Sequence, residues 1–97
     1  MVWKIVTDDL AKREIEDALD YYSGLSLKAA DQLGGELAEA LITLSLHPFF
    51  AVRYKQIRCL PLKSFPYMLH YQIFETINTV KIAGIIHTSL DSFMNWR

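Results

Sequence analysis

The side chains best equipped for chemistry lie in and around Leu60-Pro61-Leu62-Lys63-Ser64-Phe65-Pro66-Tyr67-Met68-Leu69-His70-Tyr71. Arg58 and Lys63 can neutralise a phosphate or pair with a carboxylate, and arginine can do so through two parallel N–H bonds. His70 and His87 titrate near enough to neutrality to carry protons, although a histidine in a strand is more often a structural hydrogen-bonding group. Tyr67 and Tyr71 are further candidate proton carriers and offer faces on which bases can stack, but such platforms normally carry more basic residues than surround these two. His47, beside Pro48, reads as a helix-end residue. There are no paired carboxylates, no Gly-rich phosphate loop, no nucleophile elbow and no metal-ligand spacing. Hydrolase and metal readings fall away, and neither a cofactor nor a metal is expected.

What holds these side chains is a corner. Pro61 and Pro66 fix φ and lack an N–H, so they flank a turn between two strands and keep it out of regular pairing. Arg58, Lys63 and Tyr67 then have little conformational entropy to lose on meeting a partner. The charge distribution points the same way. Residues 1–47 carry four basic and nine acidic side chains, and residues 48–97 carry six basic ones (Arg53, Lys55, Arg58, Lys63, Lys81, Arg97) against Glu75 and Asp91. A basic half on a chain of net charge -1 suits a local surface for phosphates or an acidic partner, or else a solvated strand face.

With 97 residues, 52% of them apolar and 22% charged, the chain fits one well-packed domain, residues 1–97, and not a disordered segment. The single Cys59 cannot form an internal disulfide, which favours a reducing cytosol, and a cytoplasmic location is expected. No apolar run reaches the roughly 20 residues of a membrane span, and the first residues lack a signal peptide's pattern.

The periodicity changes halfway. Val2 to Val6 predicts a strand, with Thr7 as cap for a helix whose stripe is Ala11, Ile15, Ala18, Leu19 and Tyr22, ending at Ser23-Gly24. A second helix is expected from Ser26 to His47, with Leu27, Ala30, Leu33, Leu37, Leu41 and Leu44 on one side. Gly34-Gly35 inside it predicts close approach to a neighbour. Ile57–Leu62, Tyr67–Phe74 and Thr79–His87 then read as a strand meander, joined by the N-terminal strand. The expected fold is α+β in two layers, an antiparallel helix hairpin on one face of an antiparallel sheet of about four strands.

In Val80-Lys81-Ile82-Ala83-Gly84-Ile85-Ile86-His87 apolar residues occupy both alternation sets, whereas a strand wet on one side alternates more cleanly. The second face is therefore expected to be covered, by the tail with Phe93 and Trp96, by a second copy or by another protein.

The blocks ALDYY, HPF, IR-x-LPL-x-x-FPY-x-x-x-Y and IIHTS, in this order and at this spacing, resemble the RelE/ParE superfamily of bacterial toxins from type II toxin–antitoxin systems, along almost the whole chain. The FPY block looks more like the ParE branch. The resemblance implies a RelE/ParE-like fold, growth inhibition, a plasmid-stabilising role and a cognate antitoxin whose disordered segment folds around the toxin, with a homodimer or a heterotetramer with antitoxin as possible assemblies. A ParE-like member binds DNA gyrase without enzymatic chemistry, and Arg53, Lys55, Arg58, Lys63 and Tyr67 would form the target-binding surface. A RelE-like member instead cuts mRNA on the ribosome, for which Arg58, Lys63 and His87 would be the catalytic residues, supplying phosphate charge and proton transfer. Leu90 stands where many members carry the arginine of H-x-x-R, which removes a phosphate-touching cation and opens a third reading, an inactive toxin-like binding module.

Overall fold

The computed structural model describes residues 2–49 and 52–88, with backbone alone for 52–54. The tail with Leu90, Phe93 and Trp96 lies outside the described residues, as do Phe50 and the side chains of Arg53 and Tyr54. In chain order the elements are β1 (Lys4–Thr7), α1 (Asp9–Leu25), α2 (Leu27–Leu46), β2 (Val52–Tyr54), β3 (Ile57–Pro61), β4 (Tyr67–Phe74), a 3₁₀ turn (Glu75–Ile77) and β5 (Thr79–His87).

Both helices begin on a side-chain oxygen and end on a backbone N–H. Asp8, not Thr7, caps α1: its Oδ1 accepts the Leu10 N–H at 3.2 Å, while Thr7 belongs to β1. Nor does α1 stop at Ser23-Gly24, because no glycine there takes the left-handed geometry of a stop. It runs on to Leu25, and Ser26, in extended backbone, both ends it and starts α2. The Ser26 N–H donates to the Tyr22 carbonyl at 2.8 Å, and its Oγ accepts the Ala29 N–H at 3.3 Å. One residue thus serves as both caps of the hairpin. α2 closes at His47 before Pro48, as expected.

Both helices cover one side of a five-stranded sheet of order β1-β5-β4-β3-β2. Three pairings are antiparallel and β1 lies parallel to β5, so the sheet is mixed and has one strand more than expected. The added strand is β2, Val52-Arg53-Tyr54, a run of three residues too short for an alternation to be read. The parallel pairing follows from the chain crossing the whole hairpin and meander before returning to β1.

The core lies between the layers: Ala11 and Ala18 of α1, Leu33, Leu37 and Leu44 of α2, and Leu69, Tyr71, Val80, Ile82 and Ile85 of the sheet. Leu27, expected in the stripe, is 75% exposed at the hairpin tip. The mixed alternation of β5 has a cause inside the sheet. His70 pairs with Gly84 and Tyr71 with Ile82, which leaves Ala83 as the extra residue of a bulge. The bulge shifts the phase by one, so Val80, Ile82 and Ile85 all face the helices. Ile85 therefore says nothing about a covered second face. That face is nonetheless buried at its centre, where cross-strand partners Cys59 and His70 are 1% and 2% exposed.

The glycine pair divides. A Cβ on Gly34 would meet Leu19 Cδ2 at 3.9 Å, an ordinary contact, whereas one on Gly35 would meet nothing within 4 Å. The expected close approach does not exist at Gly35, which costs the helix its propensity penalty for no packing return. Gly35→Ala is expected to stabilise the protein by about 0.5–1 kcal/mol, read as a rise in the midpoint of thermal unfolding.

Candidate functional site

Two groups of predicted residues emerge at different places on the sheet. The first is the β2–β3 hairpin, a two-residue connection in which Lys55 holds φ 54°. Arg53 and Arg58 are register partners across it. The Arg58 guanidinium donates to the Phe49 carbonyl at 2.8 Å and lies 5.3 Å from the Phe49 ring centroid. It borders a polar recess of about 130 Å³ shared with Phe49, Gln56, Ile73 and Glu75. A half-buried guanidinium held on an aromatic face is pre-oriented for a carboxylate or phosphate.

The second group is the corner between β3 and β4, which is fastened by more than its prolines. The Glu36 carboxylate of α2 accepts the main-chain N–H groups of Lys63 and Ser64 at 3.1 and 3.0 Å, and Lys63 Nζ reaches Glu39 at 3.0 Å. Leu62 N–H donates to Tyr67 O at 2.9 Å, and Thr88 N–H to Pro66 O at 2.7 Å. The Lys63–Glu39 pair is 81% and 63% exposed, so it adds under about 1 kcal/mol and leaves Lys63 available to a partner. Glu36 and Glu39 went unrecognised in the sequence. Their three-residue spacing places both on one face of α2, but nothing local says which loop that face meets.

The hydrogen bond from the Ser64 N–H, aided by Lys63 and opposed by partial burial, holds the Glu36 carboxyl below its usual value of 4.5. A folded value below the unfolded one means stability that is present above about pH 4.5 and lost as pH falls through the lowered value. Glu36→Gln is expected to flatten this acid limb. Urea midpoints at neutral pH and about pH 3 should differ less in the variant than in the parent.

Beside the corner stands an aromatic cluster. Tyr22 meets Phe65 and Tyr67 edge-on with ring centroids 5.0 and 6.3 Å apart, and Tyr67 meets His87 at 5.3 Å. Burial foremost, then Tyr22 and Tyr21, raises the Tyr67 hydroxyl above its ordinary value, so it stays protonated at neutral pH. Tyr71 is not a stacking platform or a proton carrier. It is fully buried, its hydroxyl donates to the Pro48 carbonyl at 2.7 Å, and burial pushes it up to about 12. His70, at 2% exposure, is buried in the sheet's other face.

The three residues of the cleavage reading are not brought together. Arg58 sits opposite Tyr71 and His87 opposite Tyr67, with β4 between their strands. Four residues along β4 and two strand spacings put their Cα atoms roughly 16 Å apart. Lys63 turns toward α2. No single phosphate can touch all three in this arrangement.

This arrangement of a helix hairpin on one face of a mixed sheet is shared with solved toxin–antitoxin proteins. The chromosomal ParDE toxin–antitoxin system of P. aeruginosa superposes with a TM-score of 0.75 at 15% identity, over 89% of this chain and 96% of that one. An arginine-to-alanine double mutant of E. coli toxin RelE in the free state gives 0.68 at 18%, over 94% and 88%. The RelBE2 toxin–antitoxin complex of Mycobacterium tuberculosis gives 0.62 at 18%, over 90% and 92%. No curated protein matches by sequence. Residues 5–91 match the family described as ParE toxin of type II toxin-antitoxin system, parDE. The chain belongs to the ParE toxin family.

Proposed function

We propose that this chain arrests growth by gripping a protein target, DNA gyrase being the one the resemblance implies, and that a cognate antitoxin in the same cytoplasm neutralises it. The observation that carries this reading is the dispersal of Arg58, Lys63 and His87, which suits an extended contact surface better than a reaction centre. Phosphoryl chemistry needs its cation and proton carriers within hydrogen-bond reach of one phosphate. The target-binding residues are Arg53, Lys55 and Arg58 on the hairpin, with Lys63 and Tyr67 at the corner. Antitoxin binding is supported by the solved toxin–antitoxin complexes that share the fold.

Purified protein added to a gyrase supercoiling assay and to translating ribosomes with a defined mRNA separates the readings. Inhibition of supercoiling with intact mRNA is expected. Cleaved mRNA with unaffected gyrase would reverse the proposal, and inertness in both with tight antitoxin binding would identify an inactive binding module.

A further inference from the structure

The features of β1 are used by nothing described above. Among the described residues this strand pairs on one side only and forms the outer edge of the sheet. The N–H groups of Lys4 and Asp8 reach the carbonyls of Asn78 and Ile82, both at 3.0 Å, so by alternation the N–H and C=O groups of Ile5 and Thr7 point away from the sheet. Trp3 N–H, which points the same way, is taken by the Ser45 carbonyl at 2.7 Å, and among the described residues nothing takes those of Ile5 and Thr7. The same edge exposes apolar surface on the face away from the helices. Val6, Phe74 and Ile77 are 39%, 41% and 66% exposed and line an open hollow of about 290 Å³ with Thr79 and Lys81.

The geometry points to a second copy of this chain as the occupant of that edge, the two β1 strands pairing antiparallel about a two-fold axis at Val6. In this register Ile5 faces Thr7 of the other copy, and each such pair exchanges two N–H···O=C bonds, so all the outward main-chain groups of Ile5 and Thr7 are satisfied. Val6 faces its own copy at the close, non-hydrogen-bonded position, and Lys4 faces Asp8 twice. Opposite charges meet at both ends, so the lysine that would repel a random strand here finds a partner. Moving the axis by one residue fails in either direction. It would set Thr7 against Trp3, whose N–H is taken, or Ile5 against Asp9, which belongs to α1. The two-fold also joins the two hollows across one continuous face, where their apolar surface adds to the contact.

Light scattering on the full chain is expected to show a mass rising from the 11.2 kDa of one copy toward twice that as concentration passes through about 1–100 μM. Val6→Lys places like charges on the axis and should raise the dimer Kd by at least about tenfold. Val6→Cys brings two thiols together where Cα atoms of such a pair stand about 4.5 Å apart, within disulfide reach. Oxidation should give a covalent dimer that reductant reverses, while the parent, whose only cysteine is 1% exposed, should not cross-link. A single-copy mass at every concentration, a dimer indifferent to Val6→Lys, or a Val6→Cys chain that does not cross-link would each overturn the proposal. Should Val6→Lys fail to fold, the Val6→Cys result decides.

Discussion

Tyr71→Ala is expected to remove about 3–5 kcal/mol of stability, most of the margin of a domain whose total is on the order of 5–15 kcal/mol. The ring is fully buried at the centre of β4, among the side chains that join the sheet to the helices. Its truncation leaves a cavity that rigid neighbours on two layers cannot close. Tyr71→Phe separates the ring from the hydroxyl. It keeps the packing but strips the Pro48 carbonyl, itself buried, of its donor at 2.7 Å, and should cost about 1–2 kcal/mol. Urea denaturation with an unchanged m-value and midpoints in the order parent, Tyr71→Phe, Tyr71→Ala would bear this out. Equal midpoints for parent and Tyr71→Phe would show that water replaces the hydroxyl. The parent should also lose stability at high pH. A phenol raised from 10 to about 12 by burial contributes stability that is present below the unfolded value and lost as pH rises through the folded one. Tyr71→Phe should abolish that alkaline loss.

Much of this was legible in the sequence because helix and strand periods are local properties. The stripes of α1 and α2, the meander and the stop at His47-Pro48 follow from spacing alone. What escaped were features decided by residues distant in sequence. The bulge at Ala83 is a matter of register between two strands, and one residue of slip turned Ile85 from apparent evidence of a covered outer face into ordinary core. Tyr71 reads as a candidate proton carrier because nothing local shows that its ring is packed under the helices and its hydroxyl held by the Pro48 carbonyl, 23 residues earlier. Pro61 and Pro66 account locally for a stiff corner, whereas Glu36, 27 residues from Lys63, supplies the hydrogen bonds that fasten it. The sequence presents the candidate site as one cluster because Arg58, Lys63 and Tyr67 are close along the chain. A strand rises about 3.3 Å per residue and its neighbours lie about 4.8 Å apart, so closeness in sequence carried Arg58 and the corner to opposite ends of β3.

That separation shapes the functional expectation for Arg58→Ala with Lys63→Ala. If the protein grips its target along a surface, the two cations contribute at independent places and their losses should add. Each costs about tenfold in target affinity, so the double variant should lose about a hundredfold and no longer arrest growth at expression levels where the parent does. Antitoxin capture should persist, since the contact removed is with the target. Arg58→Lys keeps the charge but gives up the planar fork and the stacking on Phe49, and should fall closer to alanine than to the parent. Lys63→Ala alone disturbs no core, because its side chain is 81% exposed, so its tenfold loss can be read without a folding correction. Arg58→Ala gives up the hydrogen bond to Phe49, and a circular dichroism melt alongside the binding titration separates that cost from lost contact. Undiminished arrest by the double variant would take both residues out of the surface. A loss as large in either single variant as in the pair would mean that they act as one unit, and the reaction-centre reading would return.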